Sequence, residues 1–173
     1  HLSYAFRVSR GNPWLIRAPR GYNRFDIFDP EESIMTLYTG ESKEAAFAEV
    51  LAPFRPDLET ISKLKDIPCD DDKTPSSGKV PKAWLMERRI GKAKIRATAK
   101  IINVTSPLTM QVLRNNQEIA RYTFKAGFSD LDDSALKASN EKGRYLTQMI
   151  AAFIYNLDHT GILYESRLGS RYK

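Results

Sequence analysis

The sequence predicts an α+β domain. Short strand-like segments stand near both ends of the chain, at residues 3–9, where the apolar residues recur at period two, and at residues 162–166. One long helical pattern, residues 141–157, directly precedes the last of them. Between these ends, strand-like and helix-like stretches mix without the regular alternation of a doubly wound sheet. With 173 residues and 42% apolar content, the chain suits a single domain, residues 1–173, with its own core.

Each element has a local reason. In residues 3–9, Tyr4, Phe6 and Val8 share one face and Arg7 falls on the other. Gly11, Pro13, Pro19, Gly21 and Pro30 keep residues 10–33 irregular. Residues 33–38 read as a second strand that ends at Tyr38, and Thr39-Gly40-Glu41 turns the chain. Ser42 is then an N-cap for a helix to about Ala52, which Pro53 ends. Residues 66–81 carry Pro68, Pro75, Pro81 and the run Asp70-Asp71-Asp72, and read as a surface loop. The three aspartates lack the glycine and distal glutamate of an organised calcium loop. Residues 84–90 and 94–104 are β-prone and predict a hairpin about Gly91-Lys92-Ala93. Ser106-Pro107 opens a helix from Leu108 to about Asn115, and residues 129–139 form a short helix or turn. In residues 141–157, Tyr145, Met149, Ala152 and Phe153 stand beside Leu146, Ile150, Ile154 and Leu157. That is more than half a helix circumference, so this helix is expected to be largely buried.

Composition narrows the function classes. No stretch reaches the roughly 18 apolar residues of a membrane span. Arg7, Arg10, Arg17 and Arg20 interrupt every short apolar run near the start, so no signal peptide is expected, and His1 reads as a tag remnant or a trimmed start. Cys69 is the only cysteine, which rules out an internal disulfide and predicts a reducing, cytoplasmic setting. No ligand set for a metal is visible. The formal charge is +6, from 27 basic and 21 acidic residues. The densest cluster, Lys92, Lys94, Arg96 and Lys100, lies around the predicted hairpin, and no nucleic-acid motif accompanies it. Neither direct nucleic-acid binding nor membrane association is expected.

Glu49 is the most informative single residue. It is the only polar side chain in Ala45-Ala46-Phe47-Ala48-Glu49-Val50-Leu51-Ala52. Its neighbours one helical turn away are Ala45 and Pro53, so no helical ion pair is available to it. A carboxylate in such surroundings is a rim residue facing water, a partner in a tertiary contact, or a group held in a cleft for use. Arg7 and Arg24 are surface arginines or planar forks for a diphosphate. Tyr38 is a core tyrosine with a wet hydroxyl, or a ring that stacks on a flat heteroaromatic. Ser166 lies outside any nucleophile elbow. His159 follows a helix end and reads as a cap on the helix dipole. Cys69 has no histidine near it in sequence, so a thiol nucleophile is disfavoured.

Taken in order, these pieces resemble the RES domain family. They are Phe6-Arg7-Val8, Asn23-Arg24-Phe25, Leu37-Tyr38-Thr39, Ala46-Phe47-Ala48-Glu49-Val50-Leu51 and Gly161-Ile162-Leu163-Tyr164-Glu165-Ser166. The helix segment Thr147-Gln148-Met149-Ile150-Ala151 is also similar to the family. The matching pieces span residues 4–167; residues 55–130 match little. The family's usual Gly-Gly-Arg-Trp-Asn is replaced here by Gly21-Tyr22-Asn23-Arg24-Phe25, and the spacing from Arg24 to Tyr38 is slightly long.

The resemblance implies an ADP-ribosyltransferase-like fold, a split β-sheet core with flanking helices and a cleft for NAD+. It implies a toxin of the toxin–antitoxin type that cleaves NAD+ at the nicotinamide–ribose bond, as a glycohydrolase or phosphorylase. NAD+ is then the substrate, and no cofactor or metal is needed. Glu49, Arg24 and Ser166 are the implied catalytic residues, and Arg7, Arg24, Tyr38 and Ser166 the implied substrate-binding ones. The implied partner is an antitoxin, Xre-like and DNA-binding, with room for a homodimer within that complex. Three other readings stay open: a protein ADP-ribosyltransferase toxin, a ribonuclease toxin, and a non-catalytic binding module in which Glu49 is a rim residue.

Overall fold

The computed structural model describes residues 2–8 (backbone only), 23–27, 35–55 and 79–166. These residues form an α+β structure. Its strands are β1 (Leu2–Val8), β2 (Met35–Gly40), β3 (Ile101–Asn103) and β4 (Gly161–Glu165). They make one sheet of order β2-β1-β4-β3. β1 runs antiparallel to both β2 and β4, whereas β3 is parallel to β4. Ala5 pairs with Tyr38 on one side and with Ile162 on the other, so β1 joins segments from opposite ends of the chain. The strands predicted at residues 3–9, 33–38 and 162–166 are present, with ends shifted by one or two residues.

The helices are α1 (Lys43–Val50), α2 (Lys82–Met86), α3 (Pro107–Asn115), α4 (Gln117–Lys125), α5 (Asp133–Lys137) and α6 (Glu141–Asn156). Side-chain caps begin most of the longer ones. Ser42 Oγ accepts from the Ala45 N–H at 3.1 Å, and Asn140 Oδ1 accepts from the Gly143 N–H at 2.8 Å. Asn116 Oδ1 accepts from the N–H groups of Glu118 and Ile119, each at 3.0 Å, and so starts α4, a helix not among those expected from the sequence. Gly40 permits the tight step from β2 into α1: a Cβ there would lie 2.6 Å from the Ala46 nitrogen.

The predicted hairpin at residues 84–104 does not form. Residues 82–86 are helical, residues 87–100 carry no strand, and only Ile101–Asn103 pairs, with β4. The chain docks on β4 from Lys100 onward, whose N–H donates to Thr160 Oγ1 at 3.1 Å and whose carbonyl accepts from the Thr160 N–H at 2.9 Å. β4 offers buried apolar positions; the other hairpin arm would have offered Glu87, Arg88 and Arg89. The predicted loop at residues 66–81 lies mostly outside the described residues.

The core forms where α6 crosses the sheet. α6 buries Gly143, Leu146, Thr147, Ile150, Ala151 and Ile154, a single stripe at spacings of three and four. It is thus less buried than its composition predicts: Tyr145 and Leu157 are exposed. Tyr145 meets Tyr122 of α4 edge-on, with centroids 5.8 Å apart, at the surface instead of in the core. Phe25, Val104, Leu113, Ile119, Leu136 and Tyr164 complete the packing. α1 stands apart from this core, against β1 and β2. It buries only Ala45, while Phe47 and Val50 are exposed, so α1 is lightly packed despite its small and apolar residues.

Candidate functional site

The turn at residues 23–26 is the centre of the site, and it is held from three sides. Within the turn, the Asn23 N–H donates to Asp26 Oδ2 at 2.9 Å. From β2, the Tyr38 hydroxyl accepts from the Phe25 N–H at 2.9 Å and donates to Asp26 Oδ1 at 3.1 Å. From α6, Gln148 Nε2 donates to the Asn23 carbonyl at 2.9 Å. The Phe25 ring packs on Tyr164 of β4 with centroids 4.7 Å apart, and Tyr38 meets Tyr164 edge-on at 6.5 Å. The Arg24 guanidinium lies 5.2 Å from the Phe25 ring and 5.4 Å from the Tyr164 ring, and it donates to the Leu136 carbonyl.

Burial, and then the Asp26 carboxylate beside it, hold the Tyr38 hydroxyl in its neutral form far above the ordinary tyrosine range. A folded-state pKa raised above the unfolded one gives stability that is complete below about pH 10 and is lost as pH rises further. Wild-type protein is therefore expected to lose about 1.4 kcal/mol of stability per pH unit above that point through this one group. Tyr38→Phe removes that slope and, by unpairing the Phe25 N–H, costs about 1–3 kcal/mol at neutral pH. Urea melts of both proteins at pH 7 and at alkaline pH would measure both effects.

The structure brings Arg24 and Tyr38 into one cluster around Tyr164. Ser166 stands two residues beyond Tyr164; positions 162, 164 and 166 are buried while 165 is exposed, so Ser166 continues the buried side of β4. Arg7 is opposite Thr36 in the β1–β2 ladder, two residues along from the Ala5–Tyr38 pair. Glu49 sits half-buried in the last turn of α1. Its side chain makes no hydrogen bond, ion pair or ring contact with the Arg24–Tyr38 cluster or with any other described residue. Two other carboxylates are committed: Asp26 to Asn23 and Tyr38, and Glu165 to Lys137, which also holds Asp133 at 2.7 Å.

Phe25, Asp26, Gln148 and Tyr164 shape the site without having been singled out for it from the sequence. Asn23 and Asp26, three residues apart, carry a turn signal that could have been read. His159 departs from its expected role as a helix cap. Its Nδ1 is buried with no hydrogen-bond partner among the described residues, and it lines a shallow, open crevice with Phe25, Ile27, Thr36, Tyr155 and Ile162. Among the described residues, no group of three or more His, Cys, Asp or Glu could hold a metal ion, and no helix is long and apolar enough to cross a membrane. Cys69 and the three aspartates lie outside the described residues. Comparison with protein-family models, with curated proteins and with solved structures returned no match.

Proposed function

We propose that this chain is a RES-like toxin that cleaves NAD+ at the nicotinamide–ribose bond. The observation that carries the reading is a division of labour among carboxylates. Asp26 and Glu165 are tied up in structural pairs, while Glu49, the residue singled out by the family resemblance, is engaged with no described residue. The reading requires an ADP-ribosyltransferase-like fold; what supports it is the α+β class, with β1 between β2 and the C-terminal β4 and α1 following β2.

In this reading the C–N glycosidic bond breaks and nicotinamide leaves with the bonding electrons. Positive charge develops on the ribose, and the Glu49 carboxylate stabilises it electrostatically. An oxygen of water or phosphate then bonds to the ribose carbon; water releases its proton to solvent. Arg7 and Arg24 neutralise the diphosphate and orient the dinucleotide. Tyr38 shapes the nicotinamide pocket with its ring, and Ser166 hydrogen-bonds the ribose or the carboxamide. A DNA-binding antitoxin that covers the cleft, in a complex able to hold two copies of the toxin, completes the proposal. Transfer of ADP-ribose to a protein side chain is the neighbouring alternative, because only the acceptor differs.

Expression in bacterial cells tests the function. The cellular NAD+ pool is expected to collapse before any loss of RNA, whereas RNA loss with NAD+ intact would assign a ribonuclease. Ser166→Ala is expected to raise KM roughly tenfold with a smaller change in kcat, as suits a residue that orients substrate. Steady-state kinetics would decide this, and a kcat loss as large as that of Glu49→Ala would give Ser166 a part in the chemical step.

A further inference from the structure

The chain's positive charge is concentrated in one place. Residues 79–100 hold eight Lys or Arg residues and one acidic residue, Glu87, a net +7 against +6 for the whole chain. The remainder of the molecule is therefore close to neutral. This segment is also the least packed part of the described structure: every residue from 85 to 98 is exposed. Of its cations, Arg88 pairs with Glu87 at 3.5 Å and Lys100 pairs with Asp158. Lys79, Lys82, Arg89, Lys92, Lys94 and Arg96 form no ion pair with a described residue.

Interleaved with these cations are aliphatic side chains in water. Leu85 is 49% exposed, Met86 65%, Ile90 59% and Ile95 47%. Lone exposed apolar residues need no explanation, but four within eleven positions, with Arg88, Arg89, Lys92 and Lys94 interspersed, mark a contact surface. The partner must offer negative charge and an apolar phase together. A nucleic acid offers the charge, but the arm has no aromatic face for its bases. Its one aromatic ring, Trp84, is covered by the Arg88 guanidinium at 4.0 Å and by the edge of Phe54 at 5.0 Å. A bilayer with anionic headgroups offers both, and it requires no fixed shape from a segment that, from residue 87 to residue 100, has no regular secondary structure.

We propose that residues 82–96 dock this protein on anionic phospholipid surfaces, with Lys82, Arg89, Lys92, Lys94 and Arg96 on the headgroups and Leu85, Met86, Ile90 and Ile95 at the acyl boundary. The inference is independent of the NAD+ reading, because it uses none of the same residues. It concerns attachment to a membrane surface, not a span, and it revises the expectation of no membrane association.

Vesicle co-sedimentation at low ionic strength tests it, with the full chain, phosphatidylcholine vesicles and vesicles containing phosphatidylglycerol. Binding is expected only to the anionic vesicles and is expected to fall with added salt. Lys92→Gln, Lys94→Gln and Arg96→Gln together are expected to weaken it about a hundredfold. Ile90→Ser and Ile95→Ser are each expected to weaken it roughly tenfold. All five positions are exposed, so circular dichroism should report an unchanged fold. Equal binding to both vesicle types, or no binding by folded protein, would overturn the proposal. So would tighter binding to a DNA or RNA oligonucleotide than to the anionic vesicles, weakened by the same triple substitution, which would assign the arm to nucleic acid.

Discussion

Glu49→Gln is expected to reduce NAD+ turnover by at least about 10²–10³-fold and to leave the thermal midpoint almost unchanged. The two halves of this expectation have separate causes. Turnover falls because an amide of the same shape carries no charge to set against the developing ribose cation, and removal of one such electrostatic group commonly costs this much. Stability holds because the Glu49 side chain has no hydrogen bond or ion pair with a described residue and lies at the end of α1, away from the core; substitutions at such positions usually stay within about 0.5 kcal/mol. Rates and calorimetry on the same preparation would check both. A drop in activity matched by a drop in midpoint would make Glu49 a structural residue instead.

Gly143→Ala is expected to have the largest effect on folding. Gly143 lies in the first turn of α6, where a Cβ would come within 2.4 Å of the Ala138 Cβ and 3.1 Å of the Ala138 carbonyl oxygen. An alanine in a helix ordinarily gains about 1 kcal/mol over glycine. Here the overlap is with a short side chain and backbone, neither of which can swing aside, and overpacking of this kind costs about 1–3 kcal/mol. The overlap is expected to win, because α6 could relieve it only by moving the stripe of Leu146, Ile150 and Ile154 that fills the core. Ala138→Gly on the same background removes the closest contact and is expected to restore much of the loss. Chemical denaturation of the two single variants and the double variant would measure the coupling; additive effects would show that the two positions do not collide.

The parts of the fold that were legible in the sequence are those with strong local signals. Tyr4, Phe6 and Val8 alternate, Ser42 caps, and residues 141–157 repeat at helical spacing, and each lies in the predicted element. The predicted hairpin does not form because β-propensity at residues 94–104 says that a strand can form but not what it pairs with, and β4, some sixty residues on, won the pairing for three of them. α4 was missed because its apolar stripe is thin, Ile119 and Thr123 being its buried positions. The buried extent of α6 was overestimated because Tyr145 and Leu157 are apolar in composition yet lie outside the buried stripe.

At the site, Arg24 and Tyr38 could be chosen from order and residue type, but their surroundings could not. Gln148 reaches Asn23 across 125 positions of sequence, and Tyr164 meets Phe25 only because β1 draws β2 and β4 to its two sides. Such contacts are products of topology and have no local signature. The reverse holds for Glu49, whose isolation among apolar residues was plain in the sequence and persists in the fold as a carboxylate without a described partner.

The central claim is tested most directly by free nicotinamide released from NAD+ by the purified chain, in phosphate and in phosphate-free buffer, beside Glu49→Ala. The account predicts release by the wild-type chain at least about a hundredfold faster than by Glu49→Ala. ADP-ribose as the product in both buffers would name water as the acceptor, and a phosphorylated product confined to phosphate buffer would name phosphate. No release in either buffer from a folded wild-type chain, or equal release by both proteins, would contradict it.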